Sequence, residues 1–229
     1  MIIIPEKYQP RLLNEIDKEG YLNWSLDFFT KNDILQNPSI DLTIQLEVTK
    51  AYKIYESVKN KESTFFAFLI WNLVKILPNH FCFNLRLFEN NWYILDNPPI
   101  VIPIAIGGKE RFSEMVLEDV NQLSYNDFIR QYRWNLENIR KGEGKRVEAV
   151  TYLLSCFIGN LPNLRFTSLT LHWQKNLIEG QPMFYFGERY WKKEKLYIPL
   201  AVKLHHSVTD PFVYSLLIQD FQNQFNNHS

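Results

Sequence analysis

The sequence has little cysteine, no net charge, no long apolar run and no nucleotide-binding glycine loop, and each shortage removes a class of function. Its two cysteines, Cys82 and Cys156, sit in apolar stretches, and neither has a partner at metal-ligand spacing. They read as buried free thiols, a usage that suits a reducing cytoplasm, and no metal is expected. Lysine plus arginine (25) balances aspartate plus glutamate (25), so nothing draws the chain generally to nucleic acid or to an anionic membrane. No apolar run approaches the ~18 residues of a membrane span. The opening Met1-Ile2-Ile3-Ile4-Pro5-Glu6 is too short for a signal peptide and lacks its cationic region. Gly107-Gly108 has neither the Walker pattern nor the Rossmann spacing and reads as a turn. Repeats, low-complexity tracts and composition breaks are missing too, which predicts one domain over 1–229 with 1–23 as an N-terminal arm or edge segment. A cytoplasmic protein with no nucleic-acid or membrane partner is the expectation.

What is present is apolar and aromatic. Hydrophobic residues make up 46% and aromatics 15% of the chain, which argues for a well-packed globule. Asn23 or Ser25 can cap a short helix carrying Leu26, Phe29 and Ile34. Ile40, Leu42, Ile44, Leu46 and Val48 alternate with Asp41, Thr43, Gln45 and Glu47, the period of a strand with one wet face. A polar helix is expected over 50–60. Ser63 or Thr64 then caps a helix that is apolar nearly all round, up to Pro78. Strand-like runs follow at 82–88, 91–95 and 99–106, with Glu89-Asn90 as a hairpin turn, then an amphipathic helix over 124–141 and an exposed charged loop to Arg146. Strands are expected again at 164–173, 182–188 and 196–204, and a helix from Phe212 to Phe225 closes the chain. Mixed rather than alternating elements predict an α+β fold, a mixed β-sheet covered by helices.

The stretch with chemical promise is Lys203-Leu204-His205-His206-Ser207-Val208-Thr209-Asp210-Pro211-Phe212, at the junction of the last strand and the last helix. Histidine is the side chain best suited to move protons near neutral pH. The stretch resembles the His-His-x-x-x-Asp-Gly signature of the chloramphenicol acetyltransferase family. The lead-in Tyr197-Ile198-Pro199-Leu200-Ala201-Val202 resembles that family's approach to the histidines. The apolar helix and turn from Phe68 to Phe83, then Arg86, Trp92-Tyr93-Ile94-Leu95-Asp96 and Lys109-Glu110-Arg111-Phe112-Ser113 are similar to family segments in the same order. The likeness spans roughly 24–225.

The resemblance implies a chloramphenicol acetyltransferase-like fold, a homotrimer with clefts between subunits, acetyl-CoA as co-substrate and a small-molecule hydroxyl acceptor. It implies His206 as the general base, with His205 and Asp210 supporting the site. Phe28, Phe29, Phe157 and Tyr185, and also Tyr93 and Phe184, are candidates to line an acceptor pocket. Lys175, Arg189, Lys192, Lys193 and Lys195 are candidates for the CoA phosphates, with Lys192 to Lys195 reading equally as a wet turn. His172 and His80 read as structural.

Three departures stand out. Pro211 replaces the motif's glycine, which suits the first position of a helix. The family's oxyanion-stabilising serine matches Gly159, leaving Asn160 or a backbone N–H as substitute donor; loss of such a donor typically costs ~10²–10³-fold in turnover. A glycine there also leaves room for a longer acyl chain. Finally, no arginine follows Trp24, where Ser25, Leu26 and Asp27 stand, so Asp210 lacks its expected partner. The enzyme reading is an acetyl-CoA-dependent O-acetyltransferase. The alternative is a catalytically impaired homologue acting as a binding or assembly protein.

Overall fold

A computed structural model describes residues 3–31, 37–172 and 177–225 of the chain. The N-terminal segment is an edge piece: Tyr8 is buried, and β1 (Pro10–Leu12) adds to a small sheet. Helix α1 (Tyr21–Thr30) starts inside the expected arm, after Gly20. Asn23 and Ser25 therefore lie within the helix rather than capping it, and Ile34 falls outside the described residues. Strand β2 (Ser39–Glu47) and helices α2 (Thr49–Val58) and α3 (Phe65–Ile76) follow as the patterns predict. Thr64 is the cap of α3, accepting from the Ala67 amide at 3.1 Å. Apolar all round, α3 buries nearly every side chain; each buried leucine or phenylalanine is worth roughly 2 kcal/mol.

The run expected as a strand from residue 82 begins as a tight turn, and β3 (Leu85–Phe88) is shorter. Arg86 gives the reason. Its guanidinium is fully buried and collects the Phe83 and Leu85 carbonyls at 3.0 and 2.8 Å, which curls the chain before the strand. It also holds the carbonyls of Leu154, Ser155 and Gly180. Burial lowers its pKa only to about 10, so it stays charged. Glu89 and Asn90, both with positive φ, turn β3 into β4 (Asn91–Leu95), a two-residue hairpin.

Strand β5 (Ile100–Gly107) turns through Gly107-Gly108 into β6 (Arg111–Leu117), which the sequence pattern did not disclose. Helix α4 (Tyr125–Arg140) is capped by Ser124, and the short α5 (Ala149–Leu154) leads into β7 (Cys156–Asn160). The strand expected at 164–173 is not formed over 164–172, and residue 173 lies outside the described residues. Alternation there imitates a strand, but the segment is held by side chains: Gln45 donates to the Phe166 carbonyl and Thr43 Oγ1 accepts from the Leu169 amide. The chain ends with β8 (Ile178–Glu179), β9 (Met183–Phe186), β10 (Tyr190–Lys192), β11 (Lys195–His205) and α6 (Pro211–Gln224). Lys193, with positive φ, makes the wet turn between β10 and β11.

Two sheets result. The small one is antiparallel in the order β1-β4-β3-β8. The large one runs β10-β11-β9-β7-β5-β6, with β2 on the other edge of β11. It is mixed: β5–β7 and β7–β9 are parallel and the other pairs antiparallel. Leu200, Val202, Leu204 and Ile158 turn one face to the helices and form the main core. Phe157, Met183 and Val101 turn the other way and form a smaller cluster that helices α3, α4 and α6 do not cover. Both thiols are free, Cys156 buried and Cys82 half-buried. Among the described residues no helix is long and apolar enough to cross a membrane.

Candidate active site

Strand β11 ends at His205, and the next four residues form a tight loop onto α6. The His205 carbonyl accepts from the amides of Val208 and Thr209, both at 3.1 Å, and from the Thr209 hydroxyl at 2.9 Å. The His206 amide donates to the Pro38 carbonyl at 2.6 Å, tying the loop to the segment before β2. Asp210 accepts from the Val213 amide at 2.9 Å and caps α6, with Pro211 at the first helical position. The helix end is thus the partner of Asp210, and its carboxylate makes no ion pair among the described residues. Where the family resemblance leads one to expect an arginine, Ser25 is buried on α1 and donates to the Ser207 carbonyl at 2.6 Å. A neutral tether replaces a charged one.

The two histidines are held in opposite tautomers. His205 is buried edge-on to Trp92; its Nδ1 accepts from the Ser207 amide and its Nε2–H points to Glu179 Oε2, each at 3.3 Å. Both nitrogens are spent. The half-buried His206 has Nδ1 3.1 Å from the Thr209 carbonyl, an acceptor only, so Nδ1 carries the proton. Tyr21 donates its hydroxyl to the His206 carbonyl at 2.7 Å, and its oxygen lies 3.1 Å from the same Nδ1. Burial, reinforced by the charge of Asp210, pushes the Tyr21 phenol up to about 12, so it keeps that proton. Phe29 stacks on the His206 ring at 4.2 Å. Among the described residues nothing hydrogen-bonds to Nε2, which leaves its lone pair as the group able to take a proton. Trp24 and Phe28, 51% and 41% exposed, extend this aromatic surface.

A second group of expected residues lies elsewhere. Phe157 and Gly159 share one face of β7, and Tyr185 is the registered partner of Gly159 on β9. Phe157 and Tyr185 border a cavity of about 900 Å³, with Tyr152 and Met183, and with Glu114, Arg146 and Gln181 as polar groups. A Cβ on Gly159 would stand 2.5 Å from two ring carbons of Tyr185, so that ring takes the room a longer acyl chain would have used. Asn160 is on the opposite face, beside a pocket of about 330 Å³ with Phe65 and Phe66, and is not brought to Gly159. Phe184 packs in the main core, and Tyr93 packs against a third cluster. Tyr185 is also registered with Ala201, five residues before His206, which puts His206 about 16 Å farther along the strand direction. One chain does not bring the two groups together.

The remaining candidates are surface features. Lys195 pairs with Glu47 at 2.8 Å, Arg189 lies over the Tyr52 and Phe65 rings, and Lys192 and Lys193 are exposed. Lys175 lies outside the described residues. His172 is exposed, and His80 meets Asp220 at 2.8 Å, a structural contact. Sequence reasoning missed Tyr21, Ser25, Tyr152 and Gln181. It also missed the buried Lys203, whose Nζ is 3.9 Å from Asp41 and whose pKa burial lowers. The strand register that pairs Lys203 with Asp41 was the available signal. Among the described residues no His, Cys, Asp and Glu side chains gather as a metal site.

Comparison with known proteins bears on this arrangement. Residues 21–222 match the family model described as chloramphenicol acetyltransferase. The chain is 23% identical over 202 residues to a chloramphenicol acetyltransferase of Staphylococcus intermedius, covering 88% of this chain and 92% of that protein. It is 25% identical over 186 residues to one of Escherichia coli, covering 79% and 80%. Among solved structures, a chloramphenicol acetyltransferase superposes with a TM-score of 0.75 at 17% identity, over 94% of this chain and 99% of that one. A dihydrolipoamide acetyltransferase of Azotobacter vinelandii superposes at 0.65 and 15% identity, over 90% and 85%. These structural likenesses are of fold.

Proposed function

The chain belongs to the chloramphenicol acetyltransferase family, a family of acyltransferases, and from that premise we propose that it moves an acetyl group from acetyl-CoA to a hydroxyl of a small molecule. The observation that carries the proposal is the state of His206: Nδ1–H committed to the Thr209 carbonyl, the ring stacked on Phe29, and Nε2 unspent. An alcohol is a poor nucleophile at neutral pH, whereas a thioester is already activated, so the protein's task is to take the hydroxyl proton. Nε2 removes it as the acceptor oxygen bonds to the thioester carbonyl carbon, whose π electrons pass to oxygen. Collapse of that tetrahedral oxyanion breaks the C–S bond, and the imidazolium returns the proton to the departing CoA sulfur. One positioned base of this kind is worth about 10²–10⁴-fold. Acetyl-CoA is co-substrate here, and no step calls for a metal.

The distance between the base and the cavity supports an oligomer, with His206, Phe28 and Phe29 of one copy facing Phe157 and Tyr185 of another. The homotrimer implied by the family is the closed assembly proposed for it. The proposed compartment is the cytoplasm, where acetyl-CoA is at hand and Cys82 and Cys156 stay reduced. A second reading, an impaired homologue that binds or assembles, rests on Gly159, which has no hydroxyl. Release of free CoA from acetyl-CoA over a panel of hydroxyl compounds tests both. Acceptor-dependent release by the native protein that His206→Ala abolishes supports transfer; no release with any acceptor supports the second reading.

A further inference from the structure

Attack on a thioester places negative charge on the carbonyl oxygen, and a cleft that excludes water must meet it with a hydrogen-bond donor. In and beside the cavity two polar side chains already spend their donors on the protein. Gln181 gives its amide to the Tyr152 carbonyl and to Ser155 Oγ, and Ser155 gives its hydroxyl to the Tyr152 carbonyl at 2.7 Å. Two phenols, of Tyr152 and Tyr185, make no hydrogen bond among the described residues, nor does the guanidinium of Arg146, which is solvent-exposed. Tyr152 lies close enough to Glu114 for that charge to raise its pKa, and a carboxylate beside it would oppose a second anion. The Tyr185 phenol is shifted by the neighbouring Tyr152 and not by Glu114, and its ring comes this close to the backbone of β7 only because residue 159 has no Cβ.

We propose that the hydroxyl of Tyr185 is the oxyanion donor of this enzyme, and that Gly159 serves to let the Tyr185 ring occupy the position from which a side chain at 159 would act. The inference rests on the acetyl-transfer reading. When the acceptor oxygen bonds to the carbonyl carbon, the phenol donates its O–H to the resulting oxyanion without losing the proton, and the contact weakens as the C–S bond breaks. Burial pushes the Tyr185 phenol up to about 12, so it remains a donor throughout the neutral range.

Steady-state kinetics of Tyr185→Phe test this, since the ring stays and only the hydroxyl goes. The expected result is a fall in kcat of about 10²–10³-fold, with KM for acetyl-CoA and acceptor and the melting temperature unchanged. Gly159→Ser alone should lower kcat, because its Cβ collides with the ring. Combined with Tyr185→Ala, which clears the space, the same serine should recover about tenfold or more over Tyr185→Ala alone. Native kcat in Tyr185→Phe, or a change in KM only, overturns the inference and leaves acetyl transfer standing. Absence of transfer by the native protein overturns both. If Tyr185→Phe also melts early, the paired variant decides: recovery supports the donor role, and none overturns it.

Discussion

The histidine loop and the β7–β9 cavity treat their polar groups in opposite ways. Around residues 205–210 most donors and acceptors are spent, the buried Ser207 hydroxyl excepted: three bonds converge on the His205 carbonyl, Ser25 takes the Ser207 carbonyl, and Asp210 closes the helix end. In the cavity the phenols of Tyr152 and Tyr185 and the carboxylate of Glu114 make no such bonds among the described residues. The Thr209 carbonyl and the Phe29 ring hold His206 in one tautomer and one orientation, which the proposed base role requires. Unspent groups facing a void suit a surface that receives a molecule. The two lie apart on one chain; on the proposed acetyl-transfer reading the first is the tool and the second the receptacle, and each copy carries both.

The largest effect expected from disturbing this contrast is at the tool. His206→Ala should cut transfer by about 10²–10⁴-fold with the melting temperature unchanged, read as free CoA released. His205→Ala should do the reverse, costing about 2 kcal/mol in chemical denaturation because a buried partner of Trp92 and Glu179 is lost, with less loss of rate. Equal losses of rate in the two variants, at equal stability, would contradict the division between them. Arg86→Met should destabilise the fold by about 3 kcal/mol, because five carbonyls at the α5–β7 junction, the turn before β3 and Gly180 lose their donor. Ser25→Ala should cost about 1 kcal/mol and loosen the loop, seen as a modest fall in kcat. The smallest effect concerns the thiols. Burial pushes Cys82 up to about 11 and Cys156 up to about 12, so a thiol reagent at about pH 8 should label neither until denaturant is added.

The tool was legible in the sequence because it is contiguous. Strand β11, the histidine pair, the Asp210 cap and the Pro211 helix start all lie within one run of residues. The contacts that aim it were not legible: Tyr21 and Ser25 reach it from 185 and 182 residues away. The receptacle is harder still to read, since it depends on parallel register between β7 and β9, which pairs Gly159 with Tyr185 and carries no local signature. Period two, applied to β7, does put Phe157 and Gly159 on one face and Asn160 on the other. The strand expected at 164–173 shows the converse limit, because over 164–172 the alternation forms no backbone ladder and side chains of β2 hold the segment instead.

Subunit mixing tests most directly the claim that base and cavity meet from different copies. His206→Ala keeps the cavity, and Gly159→Leu keeps the base while forcing the Tyr185 ring into the void. Each variant alone should be inactive. Refolded together at equal amounts, random closed trimers should recover about a quarter of native transfer, because each mixed ring contains one intact pairing of base and cavity. No recovery at any mixing ratio, with mixed rings confirmed by mass, would contradict it.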